Sequence, residues 1–304
     1  YTHRAGIGGN MGDFQAELKH KVNESEKIIC KFLPEETGYQ EIVIKAMNYS
    51  ILAGGKRLRP MLMQETYRLF GGRGKEIEPF MAAMEMIHTY SLIHDDLPCM
   101  DDDDYRRGRL TNHKVYGEAM AVLAGDGLLT LAFEVMLEQK NVDPAVLIEV
   151  VREMAMCAGN FGMVGGQGLD LDAEGKEITA EELRKLHAGK TGALFIGAVR
   201  GGAHLAGATD EQLLALTKFA DLLGLAFQIT DDILDVEGDA EAMGKPVGSD
   251  AKNAKSTYVS LYTLEGAKAL AERTVEEALQ CLEMFGVNAD ALREITKLMC
   301  NRKN

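Results

Sequence analysis

The sequence predicts an all-α protein that folds as a single domain of about ten or more helices. Apolar residues recur at helical spacing through long segments rich in Ala, Leu, Met and Glu, which favour helices. Runs with the alternating pattern of a β-strand are scarce. Neither an internal repeat nor a low-complexity linker divides the 304 residues, so no domain boundary is expected.

The predicted helices follow one another between short glycine-rich or polar breaks. In chain order they cover 14–32, 40–53, 60–69, 79–94, 119–139, 144–164, 179–200, 210–236, 256–264, 267–285 and 290–299. The breaks are marked by Gly54-Gly55, Gly71-Gly72, Gly165-Gly166 and the segment 170–175. Thr179 and Thr209 are predicted helix starts, because acidic first-turn residues follow each of them.

Composition limits the classes of partner. The chain carries 47 acidic and 33 basic residues, which gives a formal net charge of -14. Such an acidic protein repels the phosphates of nucleic acid, so no nucleic-acid partner is expected. A solvated acidic surface is one explanation of the excess of acidic residues. The more specific alternative is that some of these residues cluster to bind a metal ion.

Cysteines and hydropathy bear on where the protein works. The five cysteines are scattered without C-x-x-C spacing, which argues against a zinc site or a disulfide framework and for a reducing, cytoplasmic compartment. A run of about 18 apolar residues is absent from the sequence, so no membrane span is expected. Residues 1–10 are expected to be a tag remnant or a disordered N-terminus, with one domain over 11–304.

A D-D-x-x-D motif ends the predicted helix 210–236. On a helical wheel Asp231, Asp232 and Asp235 lie at about 0°, 100° and 40°, and Gln228 lies at about 60°. Carboxylates this close repel one another unless a cation neutralises them, and oxygen ligands favour a hard ion such as Mg²⁺. A solvated acidic helix end is the competing interpretation, because one D-D-x-x-D is a short pattern.

Another acidic motif follows the predicted helix 79–94 and contains Asp95, Asp96 and Asp101. Pro98 interrupts it, so the helix should end or kink at this point. On a regular helix Asp101 would lie about 240° from Asp95. Only an irregular turn around Pro98 can therefore bring the two carboxylates together. An acidic loop balanced by nearby surface arginines is the competing interpretation.

Basic residues lie beside this motif and elsewhere in the acidic chain. Guanidinium groups grip phosphate oxygens with a planar fork, and glycines let backbone amides approach an anion. The basic segments are Gly54-Gly55-Lys56-Arg57-Leu58-Arg59-Pro60, Arg106-Arg107 with Arg109, Gly189-Lys190-Thr191-Gly192, and Gly244-Lys245-Pro246 with Lys255. Each alone is ordinary surface chemistry. Together with two acidic motifs they indicate a site for two diphosphates.

Glu85 and His88 form an E-x-x-H pattern, which is typical of di-iron helical bundles. Those proteins need two such patterns and the sequence offers one, so a di-iron centre is not expected. On the wheel His88 lies about 20° from Asp95. It can therefore face the same cavity as a phosphate donor, or it can be a satisfied core histidine.

These motifs resemble those of the trans-isoprenyl diphosphate synthases, the polyprenyl synthetase family. The resemblance runs over about residues 54–258 and is carried by G-G-K-R-L-R-P, by both aspartate motifs in order and by the stretch 87–126. It implies an isoprenoid-synthase-type bundle with helices around a central cavity, and a homodimer. It also implies that isopentenyl diphosphate is condensed with an allylic diphosphate.

The resemblance implies roles for individual residues. About three Mg²⁺ ions, with Mn²⁺ as a substitute, would be held on the allylic diphosphate by Asp95, Asp96, Asp101, Asp231, Asp232 and Asp235. The allylic diphosphate would be contacted by Arg106, Lys190, Thr191, Gln228, Lys245 and Lys255. Isopentenyl diphosphate would be bound by Lys56, Arg59, His88 and Arg107. Lys190, Asp95, Asp231 and Gln228 would be the catalytic residues. Gln167 and Asp170 match a motif near the metals, and Arg302-Lys303 loosely resembles a closing basic tail.

Tyr90 and Ser91, just upstream of the first aspartate motif, concern product length. In this family bulk at these positions limits chain growth, and an aromatic residue there resembles bacterial farnesyl synthases. The resemblance implies a C15 product, with C20 as the alternative.

Two different classes of protein share part of this pattern. A terpene cyclase has the first aspartate motif, but its second metal motif contains Asn, Ser and Glu. A non-catalytic subunit of a heteromeric synthase often lacks an aspartate motif. Both motifs are intact in this sequence, which favours the synthase over either class.

Overall fold

Helices make up most of the residues that a computed structural model describes, which are 11–238 and 255–300. They are α1 Met11–Cys30, α2 Glu41–Leu52, α3 Leu58–Leu69, α4 Glu78–Asp95, α5 Asn112–Tyr116, α6 Glu118–Leu137, α7 Pro144–Ala158, α8 Met163–Ala173, α9 Ala180–His187, α10 Ala193–Leu205, α11 Asp210–Glu237, α12 Tyr258–Gln280 and α13 Asp290–Cys300. Short 3₁₀ turns cover Lys75–Ile77 and Glu283–Ala289. A two-residue antiparallel hairpin pairs β1 Tyr105–Arg106 with β2 Arg109–Leu110. The predicted all-α fold is confirmed. Residues 1–10, Lys245 and the tail Arg302-Lys303 lie outside the described residues.

The core is built around α4 and α10. α4 packs against α6, α3 and α1, while α10 packs against α3, α7 and α11. Phe80, Phe195 and Phe219 are fully buried where these helices meet. Burying one such side chain contributes about 1.5–3 kcal/mol, so the helices that carry the site are held by apolar packing. The close approach of α10 to α3 requires Gly202, where a Cβ would lie 2.4 Å from the Met63 carbonyl oxygen.

Both predicted helix starts are confirmed. The Thr179 hydroxyl accepts a hydrogen bond from the Glu182 amide at 3.1 Å and starts α9. The Thr209 hydroxyl accepts one from the Gln212 amide at 3.2 Å and starts α11. In each case the side chain three residues on accepts from the amide of the capping threonine, which completes a capping box.

Four predicted helices, 144–164, 179–200, 256–264 and 267–285, differ from the structure. One helix over 144–164 is wrong at its end, because α7 stops at Ala158 and α8 begins at Met163. One helix over 179–200 is interrupted by a π-helical turn, Ala188–Gly192, between α9 and α10. The predicted segments 256–264 and 267–285 join as α12, with a break at Thr263, whose φ is 68° and ψ is 166°.

α8 was not predicted from the sequence, because its glycines are typical of a break. The glycines instead serve tertiary packing: a Cβ on Gly166 would lie 2.0 Å from the backbone nitrogen of Lys190. A glycine at this position lets α8 lie directly against the π-helical turn. This contact brings Asp170 of α8 next to the Lys190 side chain.

Two helices, α6 and α11, are long and apolar enough to cross a membrane by length and composition alone. Core helices of soluble proteins pass the same test. In this fold α6 packs on α4, and α11 packs on α10 and α12. Their apolar character is therefore accounted for in part by burial against other helices.

Candidate active site

The first aspartate motif curls back on itself where α4 ends. Pro98 stops the helix, and the Asp101 amide donates a hydrogen bond of 2.8 Å to the Asp95 carbonyl oxygen. The Asp103 amide likewise donates a hydrogen bond of 3.1 Å to the Asp96 carbonyl oxygen. The expectation that an irregular turn returns Asp101 to Asp95 is confirmed.

Asp96 is engaged by the hairpin that follows the motif. Arg106, on β1, donates from Nε and Nη2 to the two carboxylate oxygens of Asp96, at 3.0 and 2.7 Å. Asp96 is buried, and such a two-pronged pair fixes the geometry of both groups. The pair therefore ties the hairpin to the end of α4.

Asp95 is half-buried at the wall of the site, and its pKa reflects the loss of solvent there. Burial raises the pKa of Asp95 to about 7, an effect that Asp101 adds to and that Lys190 opposes. The Gln167 amide donates a hydrogen bond to the Asp95 carboxylate. A nearby cation would lower the pKa of such a carboxyl group, because the cation stabilises the ionised form.

The second aspartate motif lies on the unbroken last turns of α11. Asp232 is buried and accepts hydrogen bonds from the Gln228 amide at 2.9 Å and from the Tyr258 backbone at 2.9 Å. The Thr191 hydroxyl donates to Gln228 at 3.4 Å. Asp231, one residue earlier, lines the cavity described below. The predicted grouping of Gln228 with the aspartates is therefore observed.

Two lysines neutralise Asp170 beside the motifs. Lys190 Nζ lies 2.7 Å from the Asp170 carboxylate, and Lys255 Nζ lies 3.0 Å from the same oxygen. Burial raises the pKa of Asp170, but the two lysines outweigh it and the net shift is downward. Lys255 also reaches Asp101 at 3.4 Å, which links α8, the first aspartate motif and the segment before α12.

Both motifs face one cavity of about 230 Å³. Its polar lining combines carboxylates, cations and amides, and its apolar lining comes from α4, α8, α10 and α11. The predicted site residues that line it are Arg59, His88, Ser91, Asp95, Lys190, Thr191, Gln228, Asp231, Asp232 and Lys255. Lining residues without a predicted role are Leu92, Met163, His187, Leu194, Phe227, Ser256 and Thr257. Phe227 directly precedes Gln228, and this proximity is the signal that could have indicated it. Its spacing from other apolar residues of the helix is equally typical of a core residue, so the sequence does not single it out.

A cluster of cations surrounds His88 at the side of this cavity. Arg59 Nη1 lies 3.3 Å from His88 Nε2, and the Arg59 guanidinium stacks 4.6 Å above the Phe195 ring. Burial lowers the pKa of His88 strongly, and Arg59, then Arg107, lower it further. His88 is therefore neutral, and the cations around it favour an anionic ligand.

Tyr90 is buried and is not one of the residues that line the cavity. Its ring packs edge-on against His94, with 5.5 Å between the ring centroids. His94 in turn contacts the Val122 carbonyl oxygen of α6 at 2.9 Å. Ser91 lines the cavity, and its hydroxyl donates to the His88 carbonyl oxygen at 2.6 Å.

Other groups with metal-ligand chemistry lie outside the cavity. Among the described residues, ligand atoms within 4.8 Å of one another occur at Asp102, Asp104 and His113, and at Glu149, Glu153 and His204. Burial raises the pKa of Glu153, but hydrogen bonds from His204 and Arg200 outweigh it and lower the pKa to about 2. The Glu153 carboxylate is thus already paired with the Arg200 guanidinium. Neither group contains a predicted metal ligand.

The aspartate motifs fit a hard divalent cation by the chemistry of their donors. The donors are carboxylate oxygens, which Mg²⁺ prefers to nitrogen or sulfur. Asp95 and Asp101 are close enough for the charge of Asp101 to raise the pKa of Asp95. A bound cation would offset this repulsion between the two carboxylates.

A sequence profile of the family described as Polyprenyl synthetase matches residues 40–298. The chain belongs to this family. It is 50% identical over 260 residues to farnesyl diphosphate synthase of Geobacillus stearothermophilus, covering 85% of this chain and 88% of the relative. It is 44% identical over 281 residues to geranylgeranyl diphosphate synthase of Cyanophora paradoxa, covering 92% and 93%.

Solved structures of the family share the fold. A geranyltransferase from Helicobacter pylori, complexed with magnesium and isoprenyl diphosphate, superimposes with a TM-score of 0.83 at 30% identity. The match covers 99% of this chain and 98% of that structure. The predicted family and the predicted isoprenoid-synthase-type bundle are therefore confirmed.

Proposed function

We propose that this chain is a magnesium-dependent farnesyl diphosphate synthase. It condenses isopentenyl diphosphate with dimethylallyl and then geranyl diphosphate. One observation carries the proposal: carboxylates of both aspartate motifs line a single cavity that Arg59, His88, Lys190 and Lys255 also line. A carboxylate-rich wall suits metal-bound diphosphate, and a cationic wall suits a second diphosphate without metal.

The ions are proposed to lie between the aspartate motifs. Asp95 and Asp231 are the ligands that the geometry favours most, because both line the cavity, and the turn after Pro98 returns Asp101 to Asp95. We propose that Asp96, Asp232 and Asp235, all three buried, support these ligands. About three Mg²⁺ ions are expected, with Mn²⁺ as a substitute.

The diphosphates are proposed to occupy opposite sides of the cavity. Lys190, Thr191, Gln228 and Lys255 would contact the allylic diphosphate, with Arg106 behind Asp96; Lys245 lies outside the described residues. Lys56, Arg59, His88 and Arg107 would bind isopentenyl diphosphate. Arg59 and His88 are already in contact at 3.3 Å, which supports a shared ligand.

The chain's own groups then serve three tasks in the reaction. Bound Mg²⁺ supplies Lewis-acid stabilisation of the pyrophosphate that leaves as the allylic C–O bond breaks. Lys190 and Lys255 add positive charge near the same leaving group. Thr191 and Gln228 orient hydrogen-bonding oxygens toward the allylic cation, which the double bond of isopentenyl diphosphate attacks to form the new C–C bond. A proton is then lost to the released pyrophosphate, and apolar residues such as Phe227 exclude water.

A C15 product is proposed over the C20 alternative. The support is the buried aromatic ring of Tyr90, which directly precedes the cavity-lining Ser91, and the identity to farnesyl diphosphate synthases. A non-catalytic subunit is disfavoured, because both aspartate motifs are intact and line the cavity.

A homodimer in the cytoplasm is also proposed. Exposed apolar side chains on α6 and α7, such as Leu123 and Ile148, give a surface for a second copy. All five cysteines are free, which suits a reducing compartment. Light scattering should give twice the chain mass of 33.2 kDa, and a monomeric mass would contradict the dimer.

Product analysis tests the proposed function. The purified chain is incubated with Mg²⁺, isopentenyl diphosphate and dimethylallyl diphosphate, and the dephosphorylated products are separated by chromatography. The expected product is farnesol, with none formed when EDTA removes the metal. A C20 main product would contradict the farnesyl assignment, and absence of turnover unless another subunit is added would favour the subunit alternative.

A further inference from the structure

Arg57 lies in the basic loop before α3 but does not point into the cavity. Its side chain is 3% exposed and turned into the protein. Nη1 lies 2.8 Å from Glu85 Oε1, Nη2 donates to the Ile51 carbonyl oxygen at 2.6 Å, and Nε lies 3.4 Å from Glu26. Lys56 and Arg59 flank this anchored residue in the sequence.

The backbone at Arg57 adopts a conformation that is unfavourable for a residue with a side chain. Its φ is 52° and its ψ is 34°, in the left-handed region, at the residue that starts α3. Such a conformation persists where the surroundings impose it. The contacts of the guanidinium with Glu85 and Ile51 supply that constraint.

Glu85 is the other half of the anchor and lies on α4. It is buried, and it precedes His88 by almost one helical turn. Its charge also acts on Arg107: burial lowers the pKa of Arg107, and Glu85 raises it. Arg107 donates a hydrogen bond to the Gly54 carbonyl oxygen at the start of the basic loop. The Glu85 carboxylate therefore acts on Arg57 within the loop and on an arginine that holds the start of the loop.

We propose that Arg57 and Glu85 are positioning residues for the isopentenyl diphosphate site. Their ion pair joins the loop that carries Lys56 and Arg59 to the helix that carries His88. The pair holds the left-handed turn at Arg57, and with it the backbone from which the Lys56 and Arg59 side chains extend. This inference rests on the proposed function, and it gives Arg57 a positioning role rather than a direct contact with a diphosphate.

The position of the pair distinguishes this role from a general contribution to stability. A buried ion pair often adds little net stability, because desolvation offsets the attraction between its charges. This one connects two elements that supply the cations of one subsite. The pairs and ligands at the aspartate motifs do not involve it, so the allylic site should be independent of it.

Steady-state kinetics with both substrates test the inference, using Arg57→Gln, Glu85→Gln and Arg57→Gly. Each variant is expected to raise the KM for isopentenyl diphosphate by about tenfold or more, with the KM for geranyl diphosphate changed less than about twofold. Arg57→Gly relieves the backbone conformation but deletes the ion pair, so it should behave like Arg57→Gln. The matched control is Arg68→Gln at the other end of α3, where the partly exposed Arg68 pairs with Glu24 and with the buried Glu65, which also has Lys21 as a partner. It should leave both KM values unchanged.

The outcomes separate the inference from the proposed function. Absence of turnover by the wild-type chain contradicts the proposed function itself. Wild-type turnover, with an unchanged isopentenyl diphosphate KM in the variants, contradicts only the positioning role. A parallel loss of Tm and of affinity for both substrates also contradicts it, because that is the behaviour of a merely structural pair. If Arg57→Gln does not fold, Glu85→Gln carries the test, since the glutamine keeps the shape and one acceptor.

Discussion

Alanine in place of Asp95 or of Asp231 is expected to lower the kcat of prenyl transfer by about 10³-fold. Each carboxylate is proposed to hold ions that offset the charge gathering on the departing pyrophosphate. Without it, the allylic C–O bond must break with less electrostatic stabilisation. Pyrophosphate release by each purified variant at saturating Mg²⁺ and substrates measures the loss.

Asp172→Ala is the matched control for these two variants. Asp172 lies on α8, the helix that carries Asp170, but its side chain is 82% exposed and pairs only with Lys176 at 3.4 Å among the contacts described for it. Such a surface pair contributes about 0–1 kcal/mol, so kcat should match that of the wild type. A folded Asp95→Ala or Asp231→Ala variant with the kcat of the control would contradict the proposed metal role.

Tyr90→Ala is expected to change the product from C15 to C20 or longer. The phenol ring is buried and packs edge-on against His94. Its removal opens space between α4 and α6 into which a growing chain can extend. Truncating a buried aromatic ring costs about 3–5 kcal/mol of folding stability, so a lower Tm should accompany the altered product.

Chromatography of the dephosphorylated products measures this change. Tyr90→Phe is the control, because it keeps the ring and should keep the C15 product. If Tyr90→Ala is folded and active but still makes only C15, the end of the chain-binding space lies elsewhere. Ser91, which lines the cavity one residue further on, would then be the next residue to examine.

Local sequence signals were sufficient where the chain's own chemistry decides the structure. Thr179 and Thr209 start their helices because capping needs only residues within one turn. Pro98 ends α4 for a steric reason, and the return of Asp101 follows from that break. The unbroken helix through Asp231 likewise follows from an uninterrupted apolar repeat.

Contacts between distant segments could not be read in this way. The glycines of α8 indicate a break until the backbone of Lys190 is placed against Gly166. The ion pairs of Asp170 with Lys190 and Lys255 join three segments that are distant in the sequence. The sequence does not distinguish Arg57 from Lys56 and Arg59, the other two cations of the basic loop. The buried contact of Arg57 with Glu85 distinguishes it in the structure.

The two aspartate motifs are proposed to hold divalent cations together on a diphosphate. The most direct measurement is anomalous diffraction from crystals of this chain grown with Mn²⁺ and inorganic pyrophosphate. We predict manganese peaks between Asp95 and Asp101 on one wall of the cavity and Asp231 on the other, bridged by the pyrophosphate. Peaks confined to Asp102, Asp104 and His113 or to Glu149, Glu153 and His204, or an absence of peaks, would contradict this metal site.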